Sequence, residues 1–355
     1  MIINFLMKSL YFVGVILIIF CKTGNVLSKE NLFSVNNIQI SKNNKISNKE
    51  LANKAIEIGF KMLTEKILLE QDIEKFKSLE LGQIKPLVSY YQIINKREGK
   101  QNSDKTFFNI FFDKEKLHEL FYNNNIFYSE ISDKELYFLP LLRKKNELFI
   151  FSQNYFYENW DKLQQNDLIE FILPLENIEI IQQIKENEDN LLNISLENLF
   201  QGYNNKNLAI AIIQINSLRN IQIFLKTKIL DKKINKSIKI NNLKDFNEDF
   251  YLNLTSMIEQ ELINLIKSQN LIDVKTPSFL NTKFKLKKRN NLVELNSRLE
   301  KIGLIENIYV QELNNEYVNL KIKYLGKLNK IINLLKSQNI ILKLSGEEWT
   351  LEIIG

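Results

Sequence analysis

Apolar residues follow a helical period and then a strand period early in the chain, which predicts an α/β hairpin-helix module at residues 29–130. After the helix-start signal Ser47-Asn-Lys-Glu50, four apolar residues recur at helical spacing: Leu51, Ala55, Ile58 and Met62. A strand is predicted before this helix at residues 35–40, and a hairpin after it at 87–95 and 106–112. Both faces of the second hairpin strand are apolar, so we expect protein to cover it on two sides.

Strands and helices alternate in residues 131–275. Apolar runs predict strands at residues 148–151, 169–173, 208–215, 221–229 and 234–240, and helices at 160–164, 175–184 and 196–203. The longest helix is predicted to start at Asp245-Phe-Asn-Glu248 and to end at Ser268-Gln-Asn270. This order indicates a Rossmann-like three-layer sandwich with an antiparallel edge. The turn after its first strand, Ser152-Gln-Asn154, has no glycine, so we expect no nucleotide there.

Residues 279–355, which follow a linker marked by Pro277, show the clearest alternation. The pattern predicts strands at residues 282–288, 305–312, 317–324, 340–344 and 349–353, and helices at 292–302 and 328–335. This order is a split β-α-β (ferredoxin-like) domain with an extra C-terminal strand. We therefore expect a mixed α/β or α+β protein of three small modules.

The first residues are typical of an export signal. A short basic start ending at Lys8 precedes an uncharged apolar run at residues 9–20. That run falls within the range of about 7–15 residues for a signal peptide and is shorter than the ~20 residues that span a bilayer. Cleavage after Ser28 would make residues 1–28 a signal peptide and would place the protein in the periplasm.

Two alternatives to a cleaved signal stay open. Residues 2–20 could form an uncleaved anchor in the inner membrane, with Lys8 reaching the interface. Membrane contact would then occur only through this segment. Cys21 could instead carry a lipid, although bulky Phe20 stands where a small residue is normally needed.

The chain has one histidine and one cysteine among 355 residues, which excludes several chemistries. No internal disulfide and no zinc site of cysteines and histidines can form. Loss of Lys8 and Lys22 with the leader lowers the formal net charge from +6 to +4. A charge this small suits a soluble protein better than a dedicated polyanion binder. We expect no cofactor, no metal, no nucleic-acid partner and no identifiable catalytic residue.

Individual residues that invite a chemical role have simpler structural explanations. Asp113 precedes a short helix and is predicted to cap it, and His118 in that helix is expected to be a surface or packing residue. Glu347 and Glu348 are adjacent, so in a strand they would point to opposite faces instead of acting together. Gly326 is expected in a strand-to-helix turn, since a phosphate loop would need more of its motif.

The strongest basic cluster is the possible interaction surface that the sequence offers. It consists of Lys283, Lys285, Lys287, Lys288 and Arg289. Because Phe284 and Leu286 alternate with the lysines, we interpret it as the solvated face of an edge strand, where lysines block edge-to-edge pairing. Contact with an anionic lipid or glycan is the main alternative. The same interpretation applies to the strand lysines Lys226, Lys228, Lys236 and Lys239.

Short stretches throughout the chain resemble the uncharacterised proteobacterial family called domain of unknown function 2066. They include residues 50–67, Val88-Ser-Tyr-Tyr-Gln92, Phe111-Phe-Asp113, Asn159-Trp160, Ile172-Leu-Pro174, Tyr324-x-Gly326 and the terminal Gly346, Trp349 and Leu351. The resemblance covers most of the chain after the leader, and polar insertions at residues 185–195 depart from it. It implies an exported envelope protein and assigns no activity and no site residue.

The sequence therefore predicts a non-catalytic envelope protein that binds another envelope protein or organises an assembly. One alternative is a hydrolase acting on glycans through Asp and Glu carboxylates, a chemistry that needs no histidine, cysteine or metal. Another is a carrier of a lipid or small ligand. The sequence predicts no particular oligomeric state.

Overall fold

The computed structural model describes residues 31–41, 47–94, 105–131, 133–144, 147–163, 168–203, 206–217, 220–241, 247–286, 291–346 and 348–354. The predicted leader lies outside these residues. Helix and strand make up similar shares of the described residues, 39% and 38%, which confirms the mixed α/β class. By its internal contacts the chain divides into two compact units, one of residues 1–63 and 80–114, and the other of residues 64–79 and 115–355.

The helices are α1 (Asn48–Ile67), α2 (Glu70–Ile73), α3 (Leu81–Ile84), α4 (Lys114–Asn123), α5 (Tyr155–Leu163), α6 (Ile178–Glu186), α7 (Leu196–Leu199), α8 (Glu248–Gln269), α9 (Asn291–Leu299) and α10 (Leu328–Ser337). Short 3-10 helices occur at Glu74–Phe76, Lys85–Leu87 and Glu188–Asn193. Within the described residues, none of these helices combines the length and apolar character needed to cross a membrane.

The strands are β1 (Ser34–Ser41), β2 (Val88–Ile94), β3 (Lys105–Phe112), β4 (Tyr128–Ser129), β5 (Glu135–Lys144), β6 (Glu147–Phe149), β7 (Glu170–Ile172), β8 (Asn207–Ser217), β9 (Asn220–Ile229), β10 (Lys232–Ile240), β11 (Leu271–Ile272), β12 (Ser278–Lys285), β13 (Ile305–Leu313), β14 (Tyr317–Tyr324), β15 (Ile340–Ser345) and β16 (Glu348–Ile353).

Helix α1 begins at the signal that the sequence predicts. The Glu50 carboxylate accepts hydrogen bonds from the Ser47 backbone N–H at 2.8 Å and from its hydroxyl at 2.9 Å. In return, the Glu50 N–H donates to the Ser47 hydroxyl at 3.3 Å, so the reciprocal capping box forms. These bonds, first of all the one from the Ser47 backbone, hold the pKa of Glu50 below its ordinary value.

The first unit builds its sheet in the order β1-β3-β2, so the predicted hairpin is confirmed. One face of β3 is buried against α1, where Gly59 allows close approach: a Cβ there would lie 3.0 Å from Ile38 Cδ1 and 3.1 Å from Ile110 Cγ1. On the opposite face, Phe107 and Phe111 are only half-buried. Among the described residues, protein therefore covers one face of β3 fully and the other face only in part.

The largest sheet runs in the order β10-β9-β8-β5, with β6 pairing the end of β5 and β7 its beginning. Central strand β5 is parallel to β8 and was not predicted from the sequence. Its continuous apolar run contains Pro140, and an interior proline argues against a strand. On the side of β5 away from β8, β7 pairs with residues 135–137 and β6 with residues 142–144. Residues 138–141 have no strand partner on that side among the described residues, so a residue without an N–H can be accommodated there.

Helices cover this sheet on both faces, which gives the predicted three layers. On one face, α5 and α8 bury a cluster that includes Phe156, Trp160, Ile258 and Leu262. On the other face, α6, α7 and the 3-10 turn between them bury a second cluster around Ile184 and Leu199. A sheet covered on both faces explains why β5 and β8 are apolar throughout.

Two predicted helix starts differ from the structure. Helix α6 begins at Ile178, three residues later than predicted, because the Asn177 side chain accepts from the Glu179 N–H at 2.7 Å and caps the helix there. Helix α8 begins at Glu248 and is capped by Asn247, whose side chain accepts from the Phe250 N–H at 2.9 Å. Asp245, in the predicted start signal, lies outside the described residues. The predicted end at Asn270 is confirmed.

The C-terminal sheet has the order β13-β14-β12-β16-β15, and the predicted β-α-β-β-α-β-β sequence of elements is confirmed. The extra strand β16 lies beside β12 and parallel to it, so β15 is displaced outwards. Strand β12 is therefore an interior strand. The interpretation of its lysines as protection of a sheet edge is wrong. Strand β9 is likewise interior, which removes that role for Lys226 and Lys228.

Candidate functional site

Within the basic cluster that the sequence singled out, Lys283 contacts a carboxylate and an aromatic ring. Lys283 Nζ lies 3.8 Å from a Glu348 carboxylate oxygen and 4.2 Å from the centre of the Tyr317 ring. Lys285 is exposed at the end of β12. Lys287, Lys288 and Arg289 lie outside the described residues. Lys283 is thus partly neutralised by a carboxylate from the neighbouring strand.

Other lysines on the same face of the C-terminal sheet are also engaged. Lys323 contacts Glu306 at 2.9 Å, Lys343 contacts Glu352 at 2.9 Å, and Lys321 lies 4.5 Å from the centre of the Phe279 ring. Exposed ion pairs of this kind contribute little binding energy and leave the face close to electrically balanced. The face therefore does not have the concentrated positive charge that an anionic polymer requires.

The sequence-predicted polar residues occupy structural positions. His118 is buried, with its Nδ1 3.7 Å from Glu306 and its ring stacked on Tyr128 at 5.4 Å between ring centres. It is a packing residue, one of the two roles expected. Asp113 donates its backbone N–H to the Leu87 carbonyl at 2.8 Å. Glu348 is exposed, and its neighbour Glu347 lies outside the described residues.

Lys267 is a buried cation that sequence reasoning missed. Its Nζ donates to the carbonyl oxygens of Glu65 and Leu68, the latter at 2.8 Å, at the end of α1. Burial lowers the pKa of its amine to about 8, against the opposing influence of Glu65 and Glu70. Since lysines commonly satisfy the last carbonyls of a helix, this one ties α8 to the end of α1. A lysine within an amphipathic helix carries no sequence signal for such a role.

The second unit contains a groove of about 760 Å³ between α6 and α7, which we call the α6–α7 groove. Buried Ile180, Leu199 and Phe200 form its floor. Residues 172–175, which follow β7, form one wall, and Tyr203 lies on the opposite side. The groove is therefore mainly apolar and lies where the chain leaves a parallel strand, a common position for binding in α/β sheets.

Two large apolar side chains near the start of α6 project into solvent, and one of them, Leu175, lines the groove. Leu175 is 86% exposed and Ile178 is 66% exposed. Single exposed apolar residues are ordinary, but Leu175 extends the apolar lining of the groove to its rim, and Ile178 adds a second exposed apolar side chain three residues later. The α6–α7 groove is therefore the candidate functional site.

Local hydrogen bonds hold the rim in place. The Tyr157 hydroxyl donates to the Pro174 carbonyl at 2.8 Å, which fixes the chain before Leu175. The Asn177 cap sets the first turn of α6, and Ile180 and Ile184 anchor that helix on the sheet. Ile178 then lies on the opposite side of the helix from the anchoring residues. The rim is built on fixed elements, which favours a preformed binding surface.

Acidic residues supply the only charges of the described groove lining. Glu176 and Glu179 lie on its wall beside the start of α6. Burial, followed by the negative charge of Glu176, raises the pKa of the neighbouring Tyr157. This arrangement favours a ligand with an apolar body and a positive charge.

Sequence reasoning placed Leu175 and Ile178 inside a predicted helix and so missed their exposure. The available signal was the surplus of apolar residues in 175–184, which is more than one buried stripe of a helix can use. Comparison of the chain with protein-family models, with curated proteins and with solved structures finds no match. The resemblance to domain of unknown function 2066 stays a prediction.

Proposed function

We propose that this is an exported, non-catalytic protein of the cell envelope that binds another protein in the α6–α7 groove. The observation that carries the proposal is the exposure of Leu175 in the lining of that groove, together with exposed Ile178 in the first turn of α6. The leader sequence supports export, and a periplasmic location follows from its cleavage.

The groove favours a protein segment over a small molecule. Its most exposed apolar side chains lie on the rim and not in its depth, so a ligand contained within the groove would leave them in water. A protein segment that lies across the groove would cover them and bury the apolar floor. The acidic wall predicts that this segment carries a lysine or arginine next to its apolar residues.

Site-specific photo-crosslinking in living cells tests the proposal. A photoreactive phenylalanine analogue at position 175 should give one discrete adduct on illumination, because this position lies at the rim. Ile178→Ser in the same chain should reduce the adduct at least about tenfold, which corresponds to a loss of about 1.4 kcal/mol of binding free energy. Glu176→Lys and Glu179→Lys should reduce it as well, through charge repulsion.

Val293 provides the matched control, because it is 71% exposed on α9 and lies outside the groove. The analogue at position 293 should not give the same adduct, and Val293→Ser should leave the adduct from position 175 unchanged. All variants should keep the melting temperature of the parent protein. Equal adducts from both positions, or none from position 175, would refute the proposed docking site.

A further inference from the structure

The two large sheets of the second unit each end in an outermost strand of nine residues. These strands are β10 and β13, and neither has a second neighbour among the described residues. Such strands present a row of backbone N–H and carbonyl groups that can pair with another strand. Nine residues correspond to about 30 Å of edge in each case.

The two edges carry opposite charge. Strand β10 contains Lys232, Lys233, Lys236 and Lys239 and no acidic residue. Strand β13 contains Glu306 and Glu312 and no lysine, arginine or proline. Pairing of β10 with another β10, or of β13 with another β13, would bring like charges together and is disfavoured. Pairing of β10 with β13 brings opposite charges together.

We propose that this protein associates head to tail with copies of itself, with the β13 edge of one copy pairing with the β10 edge of the next. The lysines of β10 then determine which strand can pair with it, because they repel basic strands, including another β10, and attract an acidic strand. The occupant of each edge is thus the complementary edge of a second copy.

Charged side chains lie on one face of each edge. Glu306 and Glu312 are six residues apart on the face of β13 that carries the contacts of Glu306 to Lys323 and of Glu312 to Asn319. Lys233 and Lys239 are also six residues apart, on the face of β10 where Lys233 contacts Glu197 of α7 at 2.9 Å. The register shifts in β13 shorten the distance between the two glutamates along the sheet, and Glu306 is already paired with Lys323. Exposed Glu312 is therefore the carboxylate that can form an ion pair across the joint, with Lys233 or Lys239.

The opposite face of both edges includes apolar residues, although on β10 it also carries Lys236, which contacts Glu261 of α8. Ile238 and Ile240 of β10 pack on the α8 side of their sheet. Val310 of β13 lies in an apolar opening beside α9 and is 56% exposed, and Leu313 is 57% exposed. Strand addition would cover these side chains and add apolar contact to the main-chain hydrogen bonds.

The pairing of β13 with β14 is irregular between Ile305 and Asn307 and again between Val310 and Glu312. The run of residues 307–310 between them stays in regular register, so it is the stretch most suited to main-chain pairing. Since the contact joins two different surfaces, copies associate in an open chain or a closed ring, not as a symmetric pair.

Sedimentation velocity on the purified protein tests this assembly. Species larger than the monomer should appear as concentration rises at about 20 mM salt, and the association constant should fall at least tenfold at about 0.5 M salt because screening weakens exposed charge pairs. The double variants Glu306→Lys/Glu312→Lys and Lys233→Glu/Lys239→Glu should each be monomeric, because each places like charges at these positions of the β10–β13 joint.

A mixture of these two variants should assemble, because both pairings of unlike chains restore opposite charges. Lys162→Glu/Lys336→Glu, which reverses two exposed helix lysines, should assemble like the parent protein. If a double variant melts at a lower temperature than the parent protein, the corresponding single variant, Lys239→Glu or Glu312→Lys, replaces it in the experiment. A parent protein that stays monomeric at low salt, or a mixture of variants that does, would overturn the proposal; the groove and its crosslinks would be unaffected.

Discussion

Lys267 shows how a single buried charge is tolerated in this protein. Its side chain is 1% exposed, and carbonyl oxygens at the end of α1 accept its hydrogen bonds. A neutral amine can make the same bonds, so the cost of burial falls on the charged form. Stability should therefore depend on pH through this residue.

We expect the Lys267 contribution to the free energy of unfolding to increase as pH rises from about 8 to about 10.5. Below pH 8 the amine is charged in both states, and the folded state bears the full cost of burying that charge. Above pH 8 the folded protein releases the proton while the unfolded chain keeps it, so stability rises with pH. The shift corresponds to about 3 kcal/mol over this window.

Denaturant unfolding of the parent protein and of Lys267→Met at several pH values measures this effect. The difference in unfolding free energy between the two should move in favour of the parent protein as pH rises. Lys336→Met, which removes an exposed lysine from α10, should show no such trend. A pH-independent difference between the parent protein and Lys267→Met would contradict the expectation.

At the scale of elements, one side chain joins β5, β6 and α5. Asn154 is fully buried, and its Nδ2 donates to the carbonyls of Pro140 at 2.8 Å and Ile150 at 2.9 Å. Its Oδ1 accepts from the Phe156 N–H at 3.2 Å and so satisfies the first turn of α5. The turn that Asn154 ends follows the first strand predicted in residues 131–275. The side-chain amide of Asn154 holds this turn, whereas a nucleotide-binding turn would use glycine and a bound phosphate.

Asn154→Asp should destabilise the protein by at least about 3 kcal/mol, because it removes the donor and places a carboxylate oxygen against buried carbonyls. Asn159→Asp is the matched control, since Asn159 makes one half-buried bond to the Tyr155 carbonyl at 3.0 Å and should cost less than about 1.5 kcal/mol. Chemical denaturation provides both values. Equal effects of the two substitutions would show that Asn154 does not hold these elements together.

Local signals account for the elements that the sequence predicted correctly. The capping box at Ser47 and the hairpin of β2 and β3 depend on residues close together in the chain, so their patterns can be recognised without knowing the fold. Strand β5 was missed because only its partners β8, β6 and β7 make its interior proline acceptable. The exposure of Leu175 was missed because it depends on where α6 begins.

For the molecule as a whole, the proposed export depends on the predicted leader. We expect the protein recovered from a periplasmic fraction to begin at Lys29, because the apolar run is short enough for cleavage after Ser28. N-terminal sequencing decides this. Ser28→Tyr should block cleavage, whereas Ser34→Tyr beyond the site should leave processing unchanged. A recovered chain that still begins at Met1 would support the uncleaved anchor.

The sequence alone determined the mixed class of the fold, the order of the C-terminal elements and the exclusion of internal disulfides and Cys–His zinc sites, because these depend on composition and on residues near one another. Tertiary structure decided which strands became interior or outermost, and therefore what their charged residues do. Lys283 would protect a sheet edge if β12 were outermost, but β16 lies beside β12 and makes it an interior strand. Strands β10 and β13 are outermost instead, and they carry opposite charge. Neighbours in a sheet come from distant parts of the chain, so no local pattern records them.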